Sequence, residues 1–304
     1  MRIFSGMTVS AAMMLAGGWM VQAAAAGTSP DRYDSLYACG DAQIREYRIK
    51  DGAAVESWRW TADAAADLPV AYRTKLLAHI DDCKPVDGGR AILATASTGG
   101  VVLIERATGR VRFRATAPMA HSADLLPGGR IAVALSIHAD GDRLELYDRG
   151  RSERVLLHLP LPSGHGAVWD TDRSRLFVLS HDLIQSYTVG GSRKAPSLTE
   201  AARWTLPGRR DGHDLSRRED GSFLVTTDDG VWTFDPDTGS FTAFAALNPK
   251  LRVKAVSVAG GRLAWVQAEE SWWAKGFTIA RADGSEPVRI PVDNMHLYKV
   301  RWVR

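Results

Sequence analysis

A repeat of about 42 residues, punctuated by glycine turns, runs through nearly the whole chain and constrains its fold more than any other feature. Short segments rich in Val, Ile, Leu, Phe and Trp alternate with Gly and Asp turns, and no sustained 3.6-residue periodicity appears beyond residue 26. The clearest turn recurs at Lys50-Asp51-Gly52, Ala107-Thr108-Gly109, Asp148-Arg149-Gly150, Val189-Gly190-Gly191, Asp237-Thr238-Gly239 and Ala282-Asp283-Gly284. Glycine there supplies the positive φ of a tight hairpin, and flanks such as Val231–Phe234 and Phe241–Phe244 alternate like half-buried strands. A second turn precedes the hairpin at Gly88-Gly89, Gly128-Gly129, Asp172-Arg173-Ser174, Asp220-Gly221 and Gly260-Gly261. Units of 40 to 50 residues with four strands each predict an all-β, six-bladed β-propeller.

One unit is split between the two ends of the chain. His296–Trp302 reads as a lone strand, while Ser35–Cys39, Gln43–Ile49 and Val55–Thr61 read as three strands lacking an inner partner. Joining the C-terminal strand to the N-terminal blade completes the ring. Residues 62–78 are then an insertion or short helix between blades, so residues 27–304 form one domain.

Residues 1–26 read differently. Met1-Arg2, an apolar run from Ile3 to Val21 and Ala23-Ala24-Ala25-Ala26 fit a signal peptide cleaved near Ala26. Gly17, Gly18 and the lack of a basic flank argue against a membrane anchor, and a periplasmic or secreted protein is expected. That compartment would permit Cys39 and Cys83, the two cysteines, to pair, but spacing alone leaves a disulfide and two buried thiols equally open. The net charge of +3 arises from 38 basic and 35 acidic residues spread along the chain, unlike the basic stripe that nucleic acid requires. A monomer with a small-molecule partner is the expectation.

Alignment of the inner strands puts His79, His121, His165, His213, Lys254 and His296 at one repeat position, with spacings of 42, 44, 48, 41 and 42 residues. Five of eight histidines thus gather at one mouth of the propeller axis. Loops on the same face add Asp41, His138, His181, Asp228, Asp229, Glu269, Glu270, Trp272 and Trp273. Three readings stand. His121, His165 and His213 could hold a divalent metal as cofactor. Alternatively His121, His165, His213 and His296 could serve as catalytic acids, bases or a nucleophile. In the third reading each histidine locks its blade by bonding an aspartate of the following loop. Lys254, Arg209 and Arg210 suit a carboxylate or sulfate, and Trp272 and Trp273 suit a sugar face, so His79, His138 and His181 join them in a ligand-binding mouth for an anionic saccharide. Trp58, Trp60, Trp232 and Trp302 are expected to pack between blades. No G-x-S-x-G, H-E-x-x-H, P-loop or C-x-x-C pattern occurs.

The stretches His121–Arg130, Gly164–Asp170 and Gly212–Leu215 resemble those of an uncharacterised family of exported bacterial six-bladed propellers, over essentially the whole chain after residue 26. That resemblance implies the fold and lends no activity. More distantly, a His-lined funnel is similar to oligogalacturonate lyases, which hold a metal there, and to arylsulfotransferases, which use a funnel histidine as nucleophile. Neither full motif is matched. The expectation is an exported enzyme with lyase or hydrolase chemistry on an anionic saccharide, or else a non-catalytic propeller that binds a glycan or protein.

Overall fold

The computed structural model describes residues 1–2, 34–50, 52–209 and 211–303. Twenty-four strands form six four-stranded antiparallel sheets arranged as the blades of a propeller. Blade 1 runs from its inner strand Leu297–Trp302 through Ser35–Gly40 and Gln43–Lys50 to Ala53–Thr61, so the last strand of the chain completes the first blade. The inner strands of blades 2 to 6 are Ile80–Val86, Ala120–Leu126, Gly166–Asp170, Gly212–Arg217 and Val253–Ala259, and each touches the next around the axis. Beyond its first two residues, the expected leader at 1–26 lies outside the described residues.

The period-two pattern of each strand explains how blades stack. Successive side chains point to opposite sheet faces, and every blade here is covered on both. Tyr37 and Cys39 thus face blade 2, whereas Leu36 and Ala38 on the same strand face blade 6. Each of six apolar clusters spans one seam between neighbouring blades, such as Val168, Phe177 and Leu179 against Leu215, Phe223 and Phe234. Full burial of a side chain of this size contributes about 1.5–3 kcal/mol, so the seams hold the ring. Trp60 and Trp302 lie buried in seams and Trp58 packs against one, while Trp232 is half-buried and donates its indole N–H to Thr227. Residues 62–78 cover the seam between blades 1 and 2 through Ala62, Ala65, Leu68, Tyr72 and Leu77, with a single helical turn at Tyr72–Leu76.

Gly52, Gly109, Gly191, Gly239 and Gly284 have φ of 69° to 86° at the hairpins, but Gly150 does not adopt the left-handed region. Cys39 and Cys83 form a disulfide with Cα atoms 6.1 Å apart, tying blade 1 to blade 2. In the loop-closure model a bridge over 44 residues stabilises by about 4 kcal/mol.

A buried ionic layer closes the axis midway. Arg301 donates through Nε and Nη2 to Asp82, at 2.8 and 3.0 Å, and through Nη1 and Nη2 to Asp214, at 2.8 and 2.5 Å. Lys299 adds a 3.1 Å bond to Asp214, and Ser122 one to Asp82. All of these groups are buried, and the cations hold both carboxyls below their usual range against the opposing effect of desolvation.

Candidate functional site

The mouth above the ionic layer is built by a recurring irregularity of the inner strands. In five blades the ladder skips one residue near the start of the inner strand, leaving a bulge at Asp81, His121, His213, Lys254 or Tyr298. Blade 4 supplies His165 just before its first paired residue, Gly166. The ring at this level is therefore Tyr298, Asp81, His121, His165, His213 and Lys254. His79 and His296 stand two residues earlier, at the rim, and the positions equivalent to His121 in those two blades are filled by Asp81 and Tyr298.

Asp81, His121, His165, His213 and Tyr298, with Trp272 and Trp273 above them, line a cavity of about 460 Å³. The rings of His121 and His165 meet edge to face at 4.5 Å between centroids, and those of His165 and His213 at 5.7 Å. His121 Nδ1 lies 3.2 Å from the Met119 carbonyl, and His165 Nδ1 lies 2.9 Å from that of Ser163. A neutral ring that donates from Nδ1 keeps Nε2 as a lone pair. Burial holds the His121 imidazole down at about 3, with the Lys299 ammonium adding to the effect. Burial likewise pushes His165 well below its ordinary value and lowers His213.

His213 is held differently. Its Nε2 is 2.6 Å from Asp228 Oδ1 and 2.9 Å from Lys254 Nζ. One nitrogen of a neutral ring can carry one proton. The shorter contact, to a carboxylate, favours a proton on Nε2 pointing at Asp228, which leaves His213 Nδ1 as a lone pair and Lys254 without an acceptor on that nitrogen. Lys254 is itself buried under the Trp272 ring, 5.1 Å from its centroid, and desolvation pulls its amine down to about 8.

Among the residues lining this cavity, two have a buried polar side-chain atom without a hydrogen-bond partner: Asp81 Oδ2 and His213 Nδ1. Asp81 Oδ2 is 3.3 Å from His121 Nδ1 without hydrogen-bond geometry, while its Oδ1 accepts from Ser97. Burial drives the Asp81 carboxyl well above the usual carboxylate range, and burial also raises the Tyr298 phenol. Asp81 belongs to blade 2 and His213 to blade 5, three blades apart in a ring of six, so they stand on opposite walls.

The rim gathers the remaining predicted residues. His296 binds Asp41 through its backbone N–H, at 2.9 Å, and through Nδ1, at 3.1 Å; His79 Nδ1 is 3.9 Å from the same carboxylate. Trp273 stacks on His79 at 5.6 Å and tilts against His296 at 6.0 Å. His181 pairs with Asp211 at 2.8 Å. His138 is exposed and accepts from the Asp140 N–H. Trp272 is 56% exposed at the cavity edge, available to a ligand face. Arg210 and the Arg209 side chain lie outside the described residues. Among the described residues, no group of three or more His, Cys, Asp or Glu side chains is placed to hold a metal ion.

Asp81 and Tyr298 escape an alignment guided by histidine, but a signal for the first exists. Asp81 stands seven residues before Gly88, as His121 does before Gly128.

The fold and this mouth define a six-bladed β-propeller with a polar, aromatic-capped cavity at one end of its axis. The chain belongs to the family of unknown function DUF6528, whose model matches residues 3–304. No curated protein matches it. Among solved structures it is similar to a protein of unknown function from Bacteroides caccae, with a TM-score of 0.59 and 12% identity over 90% of this chain and 99% of that one. It is also similar to a chain of a nidogen/laminin complex, with a TM-score of 0.59 and 14% identity over 89% of this chain and 98% of that one. At such identities the likeness is one of fold.

Proposed function

We propose that the protein is an exported acid–base enzyme that cleaves an anionic saccharide by elimination at the mouth of its axis. The observation that carries this reading is the pair of unpartnered buried atoms, His213 Nδ1 and Asp81 Oδ2, on opposite walls of one cavity. Here His213 Nδ1 takes the proton from the carbon next to the sugar carboxylate, with Asp228 fixing the tautomer from behind. The electrons of that C–H bond form a C=C bond as the C–O bond one carbon further breaks, and Asp81, kept protonated by burial, gives its proton to the departing oxygen. Lys254, beside His213, pairs with the sugar carboxylate and stabilises the charge that develops on it. Trp272 and Trp273 offer rings for stacking. Export rests on the leader-like residues 1–26, and the Cys39–Cys83 disulfide fits an oxidising compartment.

The test is incubation with uronic-acid oligosaccharides, following the absorbance of the new C=C bond conjugated to the carboxylate. His213→Ala and Asp81→Asn should each lower the rate by about 10²–10⁴-fold with little change in Tm. The rate should form a plateau in pH, falling on the acid side as His213 protonates and on the alkaline side near pH 8 as Lys254 loses its proton. Absence of elimination across uronides of both C4 configurations would sink the proposal.

Two observations support other uses of the same ring. His213–Asp228 and His296–Asp41 both join a histidine to an aspartate in a loop of its own blade, which suits a non-catalytic binder braced by these pairs. That reading expects destabilisation of His213→Ala without any lost turnover. A divalent metal on the Nε2 lone pairs of His121 and His165 would need His213 to move toward them, because the three side chains as they stand do not form a ligand group. Elemental analysis of protein purified without chelator or polyhistidine tag checks this.

A further inference from the structure

Below the ionic layer the axis opens again, at the far ends of the same inner strands, as a second cavity of about 280 Å³. Its walls include Lys84, Asp124, Trp169, Arg301 and Trp302. None of these residues reaches the histidine mouth, because Arg301, Asp82 and Asp214 fill the space between. The chemistry of this second mouth is set by which charges that layer leaves over. Arg301 and Lys299 together satisfy Asp82 and Asp214. Lys84 is the third cation, buried, and makes one hydrogen bond, to the Ala167 carbonyl; its nearest ion-pair contact is Asp82 at 3.9 Å.

Asp124 interacts with Lys84 through charge but makes no hydrogen bond to it. Its two oxygens accept the backbone N–H groups of Leu125 and Trp169, each at 2.8 Å, and burial raises its carboxyl above the ordinary range. An ammonium has three donors, so two on Lys84 face no hydrogen-bond acceptor. Trp302, a residue 2% exposed whose indole N–H has no partner, lines this cavity and also a second one beside Arg262 and Ile279. Buried donors are normally satisfied, and an ammonium with two idle hydrogens beside a void calls for an acceptor from outside the chain. Beside them the Trp169 ring is half-buried, a flat apolar wall.

We propose that this second mouth is a binding site for a small aromatic carboxylate, its carboxylate held by Lys84 and its ring lying along Trp169. The site is independent of the chemistry assigned to the histidine mouth. A carboxylate there neutralises the third cation and accepts the hydrogens that the protein leaves idle, while the ring covers the apolar wall.

The test uses benzoate on the full chain, read by tryptophan fluorescence and by calorimetry, with benzyl alcohol and sulfate as controls. Benzoate should bind at least tenfold more tightly than benzyl alcohol, and Lys84→Met should weaken it at least tenfold. Because Lys84 is buried and its variant could fail to fold, Thr171→Trp serves as a second variant. Thr171 is exposed and lines the cavity, so the larger ring fills the space without touching the ionic layer, and benzoate binding should be lost with Tm retained. His213→Ala should leave benzoate affinity unchanged, which separates this site from the mouth above. Absence of benzoate binding in the millimolar range, equal binding of benzyl alcohol, full competition by sulfate, or benzoate binding that survives Thr171→Trp would each overturn the proposal.

Discussion

In blades 2 and 5 the residue at the bulge and the one that follows it meet different surroundings. His213 stands beside a cavity with Nδ1 unpaired, whereas Asp214, next in the chain, accepts hydrogen bonds from Arg301, Lys299 and the Val256 backbone. Asp81 and Asp82 repeat the contrast. The first is a buried carboxyl with one idle oxygen, and the second is saturated by Arg301 and Ser122. Both layers are polar and both are buried, so burial alone does not decide whether a group supports the fold or awaits a ligand. What decides is whether every polar atom of the group finds a partner within the protein.

This contrast can be broken at its stable side first. Arg301→Met leaves Asp82 and Asp214 buried without their main counter-charge and should cost about 3–5 kcal/mol in chemical denaturation. A smaller effect is expected from acid. His121, His165 and His213 have folded values below their unfolded value of about 6.5, so the unfolded chain binds more protons as pH falls. Their contribution is complete above pH 6.5 and is lost progressively down to about 3 for His121, and His121→Gln with His165→Gln should flatten the fall in Tm across that window. The smallest change is expected at the ligand-facing carboxyl. Asp81→Asn keeps an acceptor for Ser97 and should shift stability by less than about 1 kcal/mol, and a loss near that of Arg301→Met would erase the distinction between the layers.

The sequence carries the ring well and the ionic layer poorly, for physical reasons. Glycine at positions such as Gly52, Gly109 and Gly239 reports a backbone conformation that other residues adopt at a cost, so the hairpins and hence the blade count are legible. The split blade is legible because an orphan strand must pair. Bulges are not, since any residue type can occupy one. An alignment that follows histidines therefore passes over Asp81 and selects His79, although His79 and His296 do share the same mouth through Asp41 and Trp273. The ionic layer is hidden for another reason: Asp82, Asp214, Lys299 and Arg301 come from three distant strands, and charged residues on a strand ordinarily face water.

The closing strand has a consequence for how the ring comes apart. Lys299 and Arg301 both sit on Leu297–Trp302, so the strand that completes blade 1 also brings the two cations that neutralise Asp82 and Asp214. Peeling that strand from Ser35–Gly40 would strip two buried carboxylates of their counter-charges at the same moment. Opening of the ring and loss of charge balance on its axis are therefore one event, which ties the seam of the circle to its centre.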